Sequence, residues 1–155
     1  MSKIQNTQRY ASSMSDLWKS TEKMVEEIGP LLKAAENTSF EGRTYIYARG
    51  GPGGVLPFRD ASEKAWMALS QATDVFVEHF LHKVPKGNYA RRLALREMEA
   101  RWPELGAKHF YERYGSLTYY VRNQKDYFSS MDLEMLKFEV IKLKAYMADI
   151  KAAMK

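Results

Sequence analysis

The sequence contains no cysteine, which excludes disulfide bonds, thiolate zinc sites, iron–sulfur clusters and cysteine nucleophiles. No stretch approaches the roughly 18 apolar residues that a membrane-spanning helix needs, and the polar first residues predict the absence of a secretory signal. Asparagine and glutamine are scarce, at four residues each, which favours a heat-loving source. Together these absences predict a cytoplasmic protein without a membrane anchor.

The residues that are present are typical of one globular domain. The chain has 155 residues, of which 45% are hydrophobic and 28% charged. At this length a chain buries about two-thirds of the surface that it exposes when unfolded. The 24 lysines and arginines exceed the 19 acidic residues and give a net charge of +5, which is compatible with an anionic partner without identifying one. We predict a single domain over residues 1–155.

The first third of the chain predicts a helix followed by a loop. Residues 1–12 have the composition of a polar leader, and Ser13 or Ser15 suits the N-cap of the first helix. Gly29-Pro30 lies within the apolar stripe of that helix and predicts a kink or a break. Residues 37–60 lose the periodicity and contain five glycines and two prolines, which predicts a long Gly-rich loop between helices 1 and 2.

The remaining two-thirds predict further helices. Asp60 suits the N-cap of a second helix, a third helix runs over 88–102 with a continuation from Pro103, and Gly115-Ser116 interrupts the chain before a segment over 117–128. The last helix begins at Ser130 or Asp132. Its apolar residues alternate steps of three and four: Leu133, Leu136, Val140, Leu143, Met147, Ile150 and Met154. Such a seam packs on a helix of the same chain or of another. The predicted fold class is all-α, a bundle of four or five helices.

Positive charge is concentrated between residues 82 and 101. Six cations lie there against Glu97 and Glu99, namely Lys83, Lys86, Arg91, Arg92, Arg96 and Arg101. Arg92 and Arg96 share one helical face, with Tyr89 near enough to offer a stacking surface. Arginine side chains suit phosphate oxygens, so this face is a candidate for binding nucleic acid. A solvated helix face with internal ion pairs is the alternative interpretation.

The histidines offer weaker signals. Asp74, Glu78 and His82 recur every four residues, which places two carboxylates and an imidazole on one helical face. Such a set suits a divalent metal ion, yet a solvated helix end, where the dipole favours a cationic histidine, accounts for the same residues. His109 and Arg113, also four apart, have no visible nucleophile beside them. We predict no bound metal and no cofactor.

Two stretches of the chain carry a resemblance to a known family. The run Ala61–Trp66, followed by Ala68 and Ala72, resembles the second-helix signature of archaeal PaREP-type proteins, a branch of the HEPN superfamily. Residues 120–128, which lead into the Lys-rich last helix, are similar to the closing section of that family. The resemblance spans about residues 60–155. It implies a HEPN-like helical bundle, commonly a homodimer, in a superfamily with many metal-independent ribonucleases.

The active motif of those ribonucleases is an Arg, usually followed by a polar residue, and then a His with four to six residues between it and the Arg. Arg122-Asn123 matches its start, whereas Tyr127 stands where the His is expected. Because a free tyrosine with a pKa near 10 is a poor base at neutral pH, the expected function is an RNA- or nucleotide-binding module with weakened catalysis. Its ligand-binding residues would be Arg122, Asn123 and Tyr127 with the Arg92/Arg96 face.

Two alternatives remain from the sequence. One is an active, metal-independent endoribonuclease that uses Tyr127 or a histidine from elsewhere in the bundle or dimer. The other is a protein-binding role, as one half of a toxin–antitoxin-like pair. An Arg122 that is paired with Asp126 or Glu134 at the bundle surface would argue against any of the ligand-binding roles for that residue.

Overall fold

The computed structural model describes the backbone of residues 3–39, 55–123 and 130–155 and the side chains of residues 13–36, 57–122 and 133–155. The helices are α1 (Lys3–Ser39), α2 (Val55–Leu81), α3 (Asn88–Arg101), the single-turn α4 (Pro103–Gly106), α5 (Phe110–Asn123) and α6 (Ser130–Ala153). Within these ranges the structure contains no strand. The all-α prediction, with five long helices, is confirmed.

Helix α1 is longer than the sequence pattern predicts. It begins at Lys3 and continues for 37 residues, so residues 3–12 of the polar leader are helical and the predicted helix start at Ser13 or Ser15 is wrong. It also continues through Pro30 without dividing. A proline inside a helix costs about 3 kcal/mol. Ile28 and Leu32 are buried on either side of Pro30, and the packing of this apolar face offsets that cost.

Helix α2 begins at Val55, so the predicted loop over 37–60 extends too far and Asp60 is not an N-cap. Pro57 occupies the first turn, where its missing N–H has no helical partner to lose. Phe58 is fully buried and extends the buried apolar face of α2 to its first turn. The Gly-rich sequence Arg49–Gly54 lies outside the described residues.

Helices α1, α2 and α6 pack side by side. Lys64 of α2 lies 2.8 Å from Glu27, and Gln71 contacts Thr21, so α2 runs antiparallel to α1. Lys137 of α6 lies 3.1 Å from Glu36 and Lys151 lies 3.5 Å from Glu22, so α6 is also antiparallel to α1. Alanines at the contact face of α2 are fully buried and allow close approach: Ala61, Ala65, Ala68 and Ala72.

The seam of α6 packs within its own chain. Leu133, Leu136, Val140, Leu143, Met147 and Ile150 are all buried, and Met154 is partly buried. Tyr146 joins them at the centre of the bundle, where its ring lies 5.9 Å from that of Phe110. Among the described helices, none combines the length and the apolar character that crossing a bilayer requires.

The connection between α3 and α5 differs from the predicted continuation. Pro103 starts only the single turn of α4, and α5 begins anew at Phe110 after His109, whose φ of 56° turns the chain. α5 then passes through Gly115-Ser116, so the predicted interruption there is wrong. Tyr114 and Leu117 flank these two residues and are buried, so the packing of α5 holds the helix together across them.

Candidate nucleic-acid interface

The ring of Tyr111 on α5 lies beside two arginines of α3. The guanidinium carbons of Arg92 and Arg96 lie 5.6 Å and 5.7 Å from the ring centroid. Arg92 Nη2 also donates a hydrogen bond to Tyr111 Oη at 3.4 Å. We call these three residues the arginine–tyrosine face. The shared face of Arg92 and Arg96 agrees with the sequence, but the aromatic partner is Tyr111 rather than Tyr89, whose side chain is 74% exposed.

Glu99 of α3 holds Tyr111 in place through the backbone. Its carboxylate oxygen Oε1 accepts a hydrogen bond from the Tyr111 N–H at 2.8 Å. This N–H belongs to the first turn of α5, where no intrahelical acceptor exists and a negative charge is favourable. The two helices are therefore joined at the point where the arginine–tyrosine face lies.

The cations of this segment differ in their partners. Arg91 pairs with Asp74, while Lys83 and Arg101 lie 3.6 Å and 4.0 Å from Glu97. Among the described residues, no carboxylate lies within ion-pair distance of Arg92 or Arg96, and both side chains are exposed. These two guanidinium groups keep their donors available to solvent or to an anionic ligand.

Arg91 anchors α3 to α2 instead of facing a ligand. Its Nε and Nη2 donate to the two carboxylate oxygens of Asp74 at 2.7 Å and 3.2 Å. Burial alone lowers the pKa of Arg91, but the hydrogen bond and charge of Asp74 outweigh it and the pKa is raised. Asp74 is thus a structural partner of Arg91. No cluster of three or more potential ligands that could hold a metal ion occurs among the described residues.

Two buried tyrosines lie behind this ion pair. Burial raises the pKa of the Tyr114 phenol, and the nearby Arg91 offsets part of that rise. Burial also raises the pKa of Tyr146. The Thr73 hydroxyl uses its only proton in a bond to the Leu69 carbonyl, so Tyr146 donates to Thr73 Oγ1 at 2.7 Å. Tyr146 is thus bonded to α2 through Thr73, whereas the buried Tyr114 hydroxyl has no hydrogen-bond partner among the described residues.

Arg122 lies at the other end of α5. Its guanidinium carbon is 5.3 Å from the centroid of Trp66 on α2, and the hydroxyl of Ser62 donates to the Val121 carbonyl at 2.7 Å, which fastens this end of α5 to α2. Glu134, one suggested partner of Arg122, pairs with Lys137 at 3.1 Å. Asp126 and Tyr127 lie outside the described residues, as does the side chain of Asn123.

Among the predicted site residues that the structure describes, Arg92 and Arg96 lie beside Tyr111, whereas Arg122 lies beside Trp66. Tyr111 and Arg122 are eleven residues apart, which is about 16 Å along the helix and about 20° around it. Both lie close to one line along α5, with Gly115 between them. No described atom lies within 4 Å of the position that a Cβ would take on Gly115. An extended ligand of several units could contact both ends of this line, whereas a single nucleotide could contact only one.

The histidine positions add no catalytic cluster. His82 terminates α2 in the left-handed conformation, with φ of 56° and its N–H bonded to the Glu78 carbonyl at 2.8 Å. Arg113 does not pair with His109 as a surface dyad. Its Nη1 lies 2.8 Å from Asp149 Oδ2 and 3.2 Å from the Lys108 carbonyl oxygen. His109 thus turns the chain before α5, and Arg113 joins this turn to α6.

Comparison of the chain with protein-family models, curated proteins and solved structures found no match. The similarity to HEPN proteins therefore rests on the two sequence stretches that suggested it.

Proposed function

We propose that the chain binds single-stranded RNA through the arginine–tyrosine face, with Arg122 and Trp66 as a second contact. The observation that carries the proposal is the pair of exposed guanidinium groups of Arg92 and Arg96 on the ring of Tyr111, without a carboxylate partner among the described residues. Guanidinium groups bind phosphate oxygens in a bidentate manner. Aromatic rings next to cations are typical of surfaces that bind single strands.

The distance between the two contacts favours an oligonucleotide over a mononucleotide. The separation of about 16 Å along α5 is several times the rise of about 3.4 Å per nucleotide in a stacked strand, so one nucleotide cannot reach both contacts. The ring of Trp66 and the guanidinium of Arg122 also pair a ring with a cation, as Tyr111 does with Arg92 and Arg96. Both contacts thus offer a ligand an aromatic ring next to a guanidinium group.

Binding rather than cleavage is proposed because of the histidines. His109 is the last histidine of the sequence, thirteen residues before Arg122. Metal-free cleavage of RNA requires a base for the 2′-hydroxyl proton, and such a base acts within hydrogen-bond reach. Among the described residues, the ring of Trp66 lies beside Arg122. Its indole nitrogen is a hydrogen-bond donor only and cannot act as the base.

The test is fluorescence anisotropy with a labelled oligouridylate of about 12 nucleotides. The double variant Arg92→Ala/Arg96→Ala should bind at least about tenfold more weakly, because two charge-assisted contacts are lost. The matched control is Lys33→Ala/Lys144→Ala, which removes the same charge from exposed positions on α1 and α6 and should lose much less.

Three outcomes would contradict the proposal. Equal losses in the two double variants would mean that net charge alone attracts the RNA. Equal affinity for single-stranded DNA would remove the preference for RNA. Cleavage of the oligonucleotide by the parent protein in the presence of a chelator would establish the ribonuclease instead, and loss of that cleavage in Arg122→Ala would place its site at Arg122.

We further propose that the chain forms a homodimer through the outer face of α6. Phe138 and Ile141 are 59% and 64% exposed there, and the same stripe continues as the exposed Ala145, Ala148 and Ala152. In an antiparallel pair centred on Ala145, the large residues of each helix face the small residues of the other. Such a self-complementary surface suits a two-fold dimer.

Lys142 and Asp149 flank the stripe on one side, but each already has a partner within the chain: Lys142 lies 3.2 Å from Glu139, and Asp149 lies 2.8 Å from Arg113. The proposed pairing therefore rests on the apolar stripe and not on charge. This dimer uses the face opposite to the buried seam, so it does not compete with the intramolecular packing of α6.

A further inference from the structure

A groove runs along α1 where it packs against α6 and the end of α2. It consists of two adjoining hollows of about 280 Å³ and 450 Å³. Trp18, Glu22 and Lys151 line both hollows. We call it the Trp18 groove. Its size is close to that of sites for small molecules, which are mostly apolar with a few polar groups that fix orientation.

Trp18 lines both hollows and is only 8% exposed. Its indole nitrogen Nε1 is shielded from solvent, so a ligand reaches it only after neighbouring side chains move, and it has no hydrogen-bond acceptor among the described residues. The indole N–H can only donate, and buried indoles usually find an acceptor. An unpaired buried donor costs free energy that an incoming oxygen atom would recover. The groove therefore favours a ligand that carries an acceptor.

The lining is partly apolar and carries charges of both signs. Val25, Val75 and Met147 supply an apolar wall, and four lysines accompany three carboxylates: Lys19, Lys144, Lys151 and Lys155 with Glu22, Glu26 and Glu78. Lys151 lines both hollows and has one ion-pair partner among the described residues, Glu22 at 3.5 Å, in a pair whose side chains are about half exposed. Such an exposed pair contributes little stability, so Lys151 can exchange Glu22 for an acid group on a ligand at small cost.

We infer that the Trp18 groove binds a small amphipathic anion, a flat apolar molecule that carries one acid group. Its acid oxygen accepts a hydrogen bond from Trp18 Nε1 and pairs with Lys151, while the apolar body lies against Val25 and Met147. Solvent hardly reaches Nε1 in the unliganded groove. The unbranched side chains of Met147 and Lys151 can change rotamer to admit the oxygen. The groove lies on α1 and α6, away from the arginine–tyrosine face, and does not depend on RNA binding.

The test compares two dyes with one skeleton on the full chain. The first, 8-anilinonaphthalene-1-sulfonate, carries an acid group, and the second, N-phenyl-1-naphthylamine, does not. The sulfonate should bind the folded protein with a rise in dye fluorescence and at least about fivefold more tightly than the neutral dye. Trp18→Phe keeps an aromatic ring but removes the donor. It should weaken the sulfonate about five- to tenfold and leave the neutral dye unchanged.

Two further variants complete the design. Lys151→Met keeps the length of the side chain without its charge and should weaken only the sulfonate, with loss of its salt dependence. Trp102→Phe is the control, because Trp102 packs on Phe80 at 5.0 Å and does not line the groove; it should leave both dyes unchanged.

Since the sulfonate dye also binds loosened proteins, each variant must retain a cooperative thermal transition. If Trp18→Phe loses that transition, Lys151→Met alone decides, because Lys151 is exposed. Equal affinity of the parent for the two dyes overturns the inference. So does a sulfonate affinity that neither Trp18→Phe nor Lys151→Met changes.

Discussion

Arg91 and Asp74 form a two-point ion pair between α3 and α2, with Nε 2.7 Å from Oδ1 and Nη2 3.2 Å from Oδ2. Their side chains are only 14% and 15% exposed. The neighbouring Arg92 and Arg96 turn outward to Tyr111. One short helix thus uses its arginines for different purposes, Arg91 for structure and Arg92 and Arg96 for the surface that we propose to bind RNA.

Arg91→Ala should lower the free energy of unfolding by about 2–3 kcal/mol, because the mostly buried carboxylate of Asp74 loses its partner. Arg101→Ala is the control, since the pair of Arg101 with Glu97 is about half exposed and should contribute less than about 1 kcal/mol. Urea denaturation of both variants measures the difference. Losses of equal size would show that the Arg91–Asp74 pair is no stronger than a surface pair.

Tyr114 and Tyr146 should make the protein sensitive to alkali. Burial raises the pKa of both phenols above the ordinary value of 10.0. Above about pH 10 the unfolded chain therefore releases protons that the folded chain retains, and the free energy of unfolding falls by about 1.4 kcal/mol per pH unit for each such tyrosine. Below that pH this contribution is fully present.

Urea denaturation between about pH 9 and pH 11 tests the alkaline effect. Tyr146→Phe should make the free energy of unfolding fall less steeply with pH, by about 1.4 kcal/mol per pH unit, because one titrating group is removed. At neutral pH the variant should lose about 1 kcal/mol of stability with the hydrogen bond to Thr73. The control Tyr89→Phe, at a side chain 74% exposed, should leave the slope as it is. A parent protein whose stability is flat across this range would refute the assignment.

Gly115→Ala should stabilise the protein by about 0.5–1 kcal/mol. Gly115 lies inside α5, and no described atom lies within 4 Å of the added Cβ, so alanine gains helix propensity and reduces the entropy of the unfolded chain. Gly87→Ala is the matched control. The space around Gly87 is equally open, but its φ is 97°, so alanine there should destabilise by about 1 kcal/mol or more. Thermal melts that move in the same direction for both variants would contradict the explanation.

Ile141→Lys should abolish the proposed homodimer, because it places a charge in the exposed apolar stripe of α6. Light scattering of the parent at increasing concentration should approach twice the 18.0 kDa of one chain, while the variant should remain at the single mass. Leu93→Lys alters a comparably large exposed apolar residue on α3 and should leave the mass of the parent unchanged. A parent that stays monomeric at all concentrations would exclude the dimer.

The helices and the buried face of α6 could be predicted from the sequence, because residue spacing alone sets which side chains share a side of a helix. Leu133 to Ile150 alternate in steps of three and four, and these residues are buried. Helix boundaries were less well predicted. Pro30, Pro57 and Gly115 each read locally as an interruption, yet each lies within a helix. Pro57 costs little because it lies in the first turn, and at Pro30 and Gly115 the free energy of packing the flanking apolar residues exceeds the local cost of the proline or glycine.

The candidate site was likewise predictable from the sequence only in part. The face shared by Arg92 and Arg96 follows from their four-residue spacing. Their partner Tyr111 lies fifteen residues beyond Arg96 in the sequence, and only the return of the chain after His109 brings it beside α3. The pairing of Arg91 with Asp74 and the contact of Arg122 with Trp66 likewise join residues of different helices.

What the sequence determined by itself was therefore the class of fold, the register of each apolar stripe and the concentration of positive charge, since these depend on residue type and spacing along one helix. Only the tertiary structure decided which cations are neutralised, which aromatic rings accompany the remaining ones, and which indole lacks an acceptor. These properties depend on distances between residues far apart in the chain, and the packing of one helix on another sets those distances.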